Sequence, residues 1–172
     1  NINSFTTKDG LSHLDVYCFE KDSKGIIWVG TRDGLNRFDG RKFKVFTKKN
    51  GLNHKSINEI YRDGDFLWCI HYYRNADLNL LSIFHTNEER VYSLEEFLDE
   101  KLLFKQNDIQ TIYTVNQTLF IQTQNHKTYS YHPNIGLKTL PFIKKKEVVK
   151  AVLKNGDFWI LDFDKSYLYF RK

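Results

Sequence analysis

Residues 25–40, GIIWVGTRDGLNRFDG, place two apolar runs, Ile26–Thr31 and Leu35–Phe38, on either side of an Asp33-Gly34 pair and close on Asp39-Gly40. Short apolar runs bounded by Asp-Gly pairs have the form of strands turned by tight hairpins, because glycine supplies the positive φ that such turns need. The same stretch crowds Trp28, Thr31, Asp33 and Arg37 together, which would also suit a reactive or ligand-gripping site. Recurrence separates the two readings.

The features do recur. Phe46-Thr-Lys-Lys-Asn-Gly-Leu52 repeats Phe5-Thr-Thr-Lys-Asp-Gly-Leu11. Each is followed by a Val/Ile-x-x-Phe/Ile step (Val16 to Phe19, Ile57 to Ile60), an acidic turn (Asp22 to Gly25, Asp63 to Asp65) and an apolar strand carrying Trp28 or Trp68. Two weaker copies follow. Ile109–Ile112 leads through Asn116-Gln117 to Phe120, and Val148–Val152 leads through Asn155-Gly-Asp157 to Trp159. The period is about 40 residues, the span of a four-stranded antiparallel propeller blade. It lengthens between Trp68 and Phe120. There Ser93–Phe104, SLEEFLDEKLLF, reads as a short inserted helix with Ser93 at the N-cap, Glu96 three residues on and apolar residues at helical spacing.

The expected fold is therefore all-β, a β-propeller made of about four four-stranded antiparallel blades with one short inserted helix. The repeats span residues 6–46, 47–94, 105–142 and 143–172, and the helix spans 93–104. The first repeat reads as strands Val16–Glu20, Ile26–Thr31, Leu35–Phe38 and Phe43–Phe46. A blade cannot bury both of its faces alone, so Trp28, Trp68, Phe120 and Trp159 are expected to act as apolar wedges between stacked blades. Residues 1–5 match the last strand of a blade, and the fourth repeat stops after its third strand. That phase fits a closing strand in a small ring, or one part of a larger propeller. The larger propeller is preferred, because most propellers of this repeat type are larger.

Composition narrows the function. The 172 residues are 41% hydrophobic and 27% charged, which suits a packed domain rather than a disordered chain. No apolar run reaches the roughly 18 residues of a membrane-spanning helix, so no membrane insertion by this segment is expected. The net charge of +5 has one tight basic cluster, Lys144-Lys145-Lys146, read as a solvated loop, so no nucleic-acid partner is expected. Cys18 and Cys69 form no Cys-x-x-Cys pair and lie in apolar runs as small hydrophobes. The histidines at 13, 54, 71, 85, 126 and 132 lack metal-ligand spacing. Phosphate-binding glycine loops and nucleophile elbows are missing from the sequence. The carboxylate pairs Glu88-Glu89 and Glu95-Glu96 read as solvated surface rather than a glycosidase dyad. No catalytic residue, metal site or cofactor is expected. Tyr72-Tyr73-Arg74-Asn75 and Asn125-His126 depart from the repeat where loops should lie, but drift explains this as well, and no ligand-binding residue is assigned.

Residues 9–46, DGLSHLDVYCFEKDSKGIIWVGTRDGLNRFDGRKFKVF, resemble the two-component regulator propeller repeat. The repeat's elements are Gly-Leu, Val-x-x-Ile (Val16 to Phe19 in this chain), Asp-x-x-Gly-x-Ile-Trp-x-Gly-Thr and Gly-Leu-x-Arg. In the second repeat the match extends to Trp68, where Cys69-Ile70-His71 stands in place of Val-Gly-Thr. Beyond that only the strand spacing persists. The resemblance implies the periplasmic sensor region of a bacterial hybrid two-component histidine kinase. Its propeller is commonly seven-bladed, its ligand an oligosaccharide or other small molecule, and its parent a homodimer. A secreted, sialidase-like glycan enzyme and a non-catalytic interaction scaffold are the alternatives. Asp22-Ser-Lys-Gly-Ile-Ile-Trp28 is similar to the sialidase Asp-box, but with one extra residue between Asp and Gly. That motif is a structural turn, and it supports the propeller rather than hydrolysis.

Overall fold

The computed structural model describes residues 3–72, 79–98, 104, 108–115, 118–141, 143, 147–152, 158–162 and 167–171. They form four antiparallel sheets, each with its strands in sequence order. The first holds β1 (Val16–Lys21), β2 (Ile27–Thr31), β3 (Gly34–Phe38) and β4 (Phe43–Phe46). The second holds β5 (Glu59–Asp63), β6 (Phe66–Tyr72), β7 (Asn79–His85) and β8 (Arg90–Tyr92), followed by helix α1 (Leu94–Leu98). The third holds β9 (Ile109–Val115), β10 (Thr118–Thr123), β11 (Thr128–His132) and β12 (Gly136–Thr139). The fourth holds β13 (Glu147–Val152), β14 (Phe158–Asp162) and β15 (Tyr167–Arg171). Three of these sheets have four strands and the fourth has three described strands; such sequential antiparallel sheets are β-propeller blades, and the all-β reading holds. Two compact units divide the chain, Asn1–Asn107 and Asp108–Lys172.

Turn chemistry sets the first blade. Asp22 turns β1 into β2: its Oδ1 accepts from the backbone N–H of Lys24 (2.9 Å) and Ile26 (3.0 Å), and its Oδ2 from Trp28 Nε1 (2.9 Å). One carboxylate thus closes the hairpin and satisfies the polar atom of a tryptophan whose ring is fully buried. Gly34 opens β3 at φ +132°, and a Cβ there would lie 2.5 Å from the Phe46 carbonyl oxygen. Thr6 and Thr47 cap equivalent 3₁₀ turns, each with a reciprocal bond to the third residue on, Asp9 or Asn50.

Within the first unit, blades one and two share a core of Trp28, Leu35, Phe46, Leu52, Ile57, Leu67, Cys69 and Phe84. The Trp28 ring lies 5.3 Å from Phe84 and 6.0 Å from Phe46. Strand alternation places Leu67 and Cys69 toward blade one and Trp68 on the opposite face, where Phe97 of α1 meets it edge-on at 5.0 Å. In the second unit Phe120 packs with Leu140, Ile143, Val149 and Ile160, stacked on Tyr113 at 5.4 Å.

Two expectations change. Trp28, Trp68 and Phe120 are fully buried as wedges, but Trp159 is 37% exposed. Its neighbour Ile160 takes the face toward Phe120, so Trp159 takes the other. Asn3–Phe5 is not a strand; Phe5 instead packs edge-on against Phe38 and Phe43. Helix α1 is described over Leu94–Leu98, with the Ser93 and Glu96 bonds that were anticipated (2.8 and 3.0 Å); residues 99–103 lie outside the described residues.

Candidate functional site

Blade topology gathers three kinds of segment at one end of each sheet: the loop before the first strand, the turn between second and third strands, and the exit of the fourth. In blades one and two the buried floor of this end is polar. Ser12 donates its backbone N–H to Asn36 Oδ1 (2.8 Å), while its hydroxyl meets Asn36 Nδ2 (2.8 Å) and Thr31 Oγ1 (2.7 Å). The second blade repeats this with other side chains. Asn53 donates its N–H to Ser82 Oγ (2.9 Å), and Ser82 in turn meets His71 Nε2 (2.7 Å).

His71 is fully buried, and its Nδ1 lies 2.6 Å from the Ser56 carbonyl oxygen. A carbonyl only accepts, so Nδ1 carries the proton and Nε2 accepts from the Ser82 hydroxyl. Burial disfavours the imidazolium and pushes the pKa down to about 4. His71 is therefore neutral at pH 7 and fastens the loop before β5 to the sheet. It does for blade two what Thr31 does for blade one.

Above this floor stand charged and polar side chains. His13 and His54 occupy the same place in successive repeats. The Nδ1 of His13 accepts from Asp15 N (2.9 Å) and that of His54 from Ser56 N (3.1 Å). Asp15 pairs with Arg32 (3.5 Å) and lies 3.7 Å from His13, and Lys55 of blade two reaches Asp33 of blade one (3.8 Å). Arg32, Asp15, Asp33 and Lys55 have side chains at least half exposed. The rim thus alternates planar donors, acceptors and cations across two blades, a surface suited to hydrogen-bonding a polyhydroxylated or charged small ligand.

Asn125-His126 turns β10 into β11 at the corresponding end of the third blade. His126 sits at φ 63°, and Asn125 Oδ1 accepts from the Thr123 hydroxyl (2.6 Å), so turn geometry accounts for Asn125. Tyr72 ends β6, while Tyr73, Arg74, Asn75 and the lysines 144–146 lie outside the described residues. One member of each carboxylate pair, Glu88 and Glu96, holds local structure. Glu88 accepts from Tyr92 (2.7 Å) and Arg90 (3.0 Å), which hold its pKa below the usual carboxylate range, and Glu96 closes the cap of α1. Cys18 and Cys69 are free thiols, and burial pushes the Cys18 pKa up to about 12. No cluster of three metal-ligating side chains occurs among the described residues. Motif spacing did not single out His13 and His54; repeat register would have, since each follows a Gly-Leu-x step.

Residues 10–33 match the family described as Two component regulator propeller. They run from the Gly10 turn through Asp22 and Trp28 to the rim residues Arg32 and Asp33. The likeness to that repeat is confined to residues 10–33. Histidine kinase P4 of Formosa agariphila is 49% identical over 57 residues, covering 33% of this chain and 4% of that protein, so the chain spans a small fraction of this relative's length. Among solved structures, the computationally designed Ika4 protein matches with a TM-score of 0.50 at 10% identity, covering 93% of this chain and 92% of its own, a likeness of fold. The extracellular domain of a putative hybrid two component system from B. thetaiotaomicron matches with a TM-score of 0.48 at 21% identity, over 85% of this chain and 19% of that one. The Asp22–Trp28 bond lies within the stretch that matches that family.

Proposed function

We propose that this chain is part of the extracytoplasmic sensor region of a two-component histidine kinase. In this reading it lies in the periplasm, detects an oligosaccharide or related small glycan fragment, and has no chemistry of its own. The observation that carries the reading is the propeller repeat at residues 10–33, joined to 49% identity over 57 residues with a histidine kinase. The rim built by His13, Asp15, Arg32, Asp33, His54 and Lys55 supports it: paired donors and acceptors on a rigid sheet end match the vicinal hydroxyls of a sugar without needing a catalytic acid or base.

Signalling follows from differential binding. A ligand that engages the rim more tightly in one arrangement of the parent dimer than in the other shifts the population toward it, and a kinase beyond the membrane reads that shift. The reading frame that encodes these residues tests the proposal. It is expected to continue into a membrane span and a histidine kinase. A frame encoding a glycan-hydrolase domain and no kinase would overturn it.

A further inference from the structure

Residues 40–58, GRKFKVFTKKNGLNHKSIN, hold Arg41, Lys42, Lys44, Lys48, Lys49 and Lys55 and no Asp or Glu. The fold lays this stretch along one path within the first unit. Arg41 and Lys42 stand in the turn that enters β4, and Lys44 lies on that strand. The strand ends the order β1-β2-β3-β4, so it is bonded on one side only. Lys48 and Lys49 follow in the 3₁₀ turn Lys48–Asn50, and Lys55 stands on the rim. All six residues are exposed. Few carboxylates answer this charge. Lys44 pairs with Glu89, and Lys55 lies 3.8 Å from Asp33. Asp39 accepts from the backbone N–H groups of Arg41 and Lys42 (both 3.0 Å), and its ion pair is with Arg37. Among the described residues, Arg41, Lys42, Lys48 and Lys49 have no carboxylate within ion-pair distance. Lys44 also stands directly opposite Arg37 across the strands, where like charges repel.

A row of unneutralised cations on a fixed strand attracts a chain of negative charge. The path also leads to the rim. Burial is the main cause of the lowered pKa of His54, and the charges of Lys48 and Lys55 add to it, so Lys48 stands near the rim histidine. Single-stranded nucleic acid would need aromatic rings to stack on. The aromatics of this stretch are occupied: Phe43 packs on Phe5 and Phe38, and Phe46 on Trp28 and Phe84. We propose that residues 40–58 form a binding strip for an acidic polysaccharide, whose carboxylate or sulfate groups meet Arg41, Lys42, Lys48 and Lys49 and whose end reaches the rim. That the polyanion is a glycan rests on the sensor reading; its charge rests on the strip alone.

Isothermal titration calorimetry on the 172-residue chain tests it with four probes: a polygalacturonate oligomer, its methyl ester, a sulfated galactan oligomer and a single-stranded DNA of equal charge. At least one acidic oligomer is expected to bind, more weakly as salt rises, and the ester and the DNA are expected to bind less well. Lys42→Gln/Lys48→Gln/Lys49→Gln is expected to weaken that binding by about 10-fold, from three exposed ion pairs lost. Lys21→Gln/Lys24→Gln/Lys138→Gln makes the same change in net charge away from the strip and is expected to bind as the wild type does. All six lysines are exposed, so both variants keep the blade cores, which thermal melts verify. No binding of either acidic oligomer, equal binding of the ester, tighter binding of the DNA, or the same loss in both variants would each overturn the proposal. The reading frame decides the sensor reading separately, so a failure of the strip leaves that reading standing.

Discussion

Removing the Asp22 carboxylate leaves the Trp28 indole N–H buried without its acceptor and frees two backbone donors of the β1–β2 turn. Asp22→Ala is expected to lower unfolding stability by about 2–3 kcal/mol in urea denaturation, with an unchanged m-value. His71 gives a pH signature. Its folded pKa, about 4, lies below its unfolded value near 6.5, so between them the unfolded chain binds more protons. The stabilisation is complete above the unfolded pKa and fades as pH falls toward 4, by about 3 kcal/mol. His54, whose ring centroid lies 6.0 Å from that of His71, is also held below its ordinary pKa by burial and adds to the same slope. The difference between melts of wild type and His71→Gln across pH 4–7 isolates the His71 part; parallel curves would contradict a buried neutral His71. Cys69 lies in the shared core and Cys18 is partly buried against it, and burial raises the pKa of both. They are expected to stay unlabelled by a thiol reagent at neutral pH until denaturant is added.

At the level of elements, α1 packs on blade two through Phe97, which lies 4.7 Å from Phe66 and 5.0 Å from Trp68, ring to ring. Phe97→Ala is expected to cost about 3 kcal/mol and to shift tryptophan emission to longer wavelength as Trp68 loses cover. Ser93→Ala removes the cap and costs about 1 kcal/mol by the same denaturation assay. The strands of the first blade could be read to within a residue at most ends, because Asp22, Asp33-Gly34 and Asp39-Gly40 encode turns locally. The start of α1 was legible for the same reason, in the Ser93 and Glu96 pair. Which face a strand residue takes was not legible where the neighbour decides it. Trp159 carries the sequence signature of a wedge, yet its burial depends on what stands beside β14. The floor of the rim was hidden too. Ser56 and Ser82 are far from His71 in sequence, so nothing local marks its two hydrogen bonds.

For the whole molecule, stacked blades give the rim its rigidity. Gly30 shows how closely they approach: a Cβ there would lie 2.5 Å from Cys18 Sγ and 2.9 Å from the Ile57 carbonyl oxygen across the blade boundary. A scaffold held this tightly offers a fixed pattern of donors and acceptors to a ligand. The function proposed above has the propeller bind a glycan fragment without transforming it. Isothermal titration calorimetry against a panel of oligosaccharides, with chromatography of each recovered sample, tests that claim most directly. Saturable heat from a member of the panel, with the sugar recovered intact and the heat lost in Arg32→Ala, is the predicted result. Shortened or rearranged sugar in the recovered sample, or no saturable heat from any member, would contradict it.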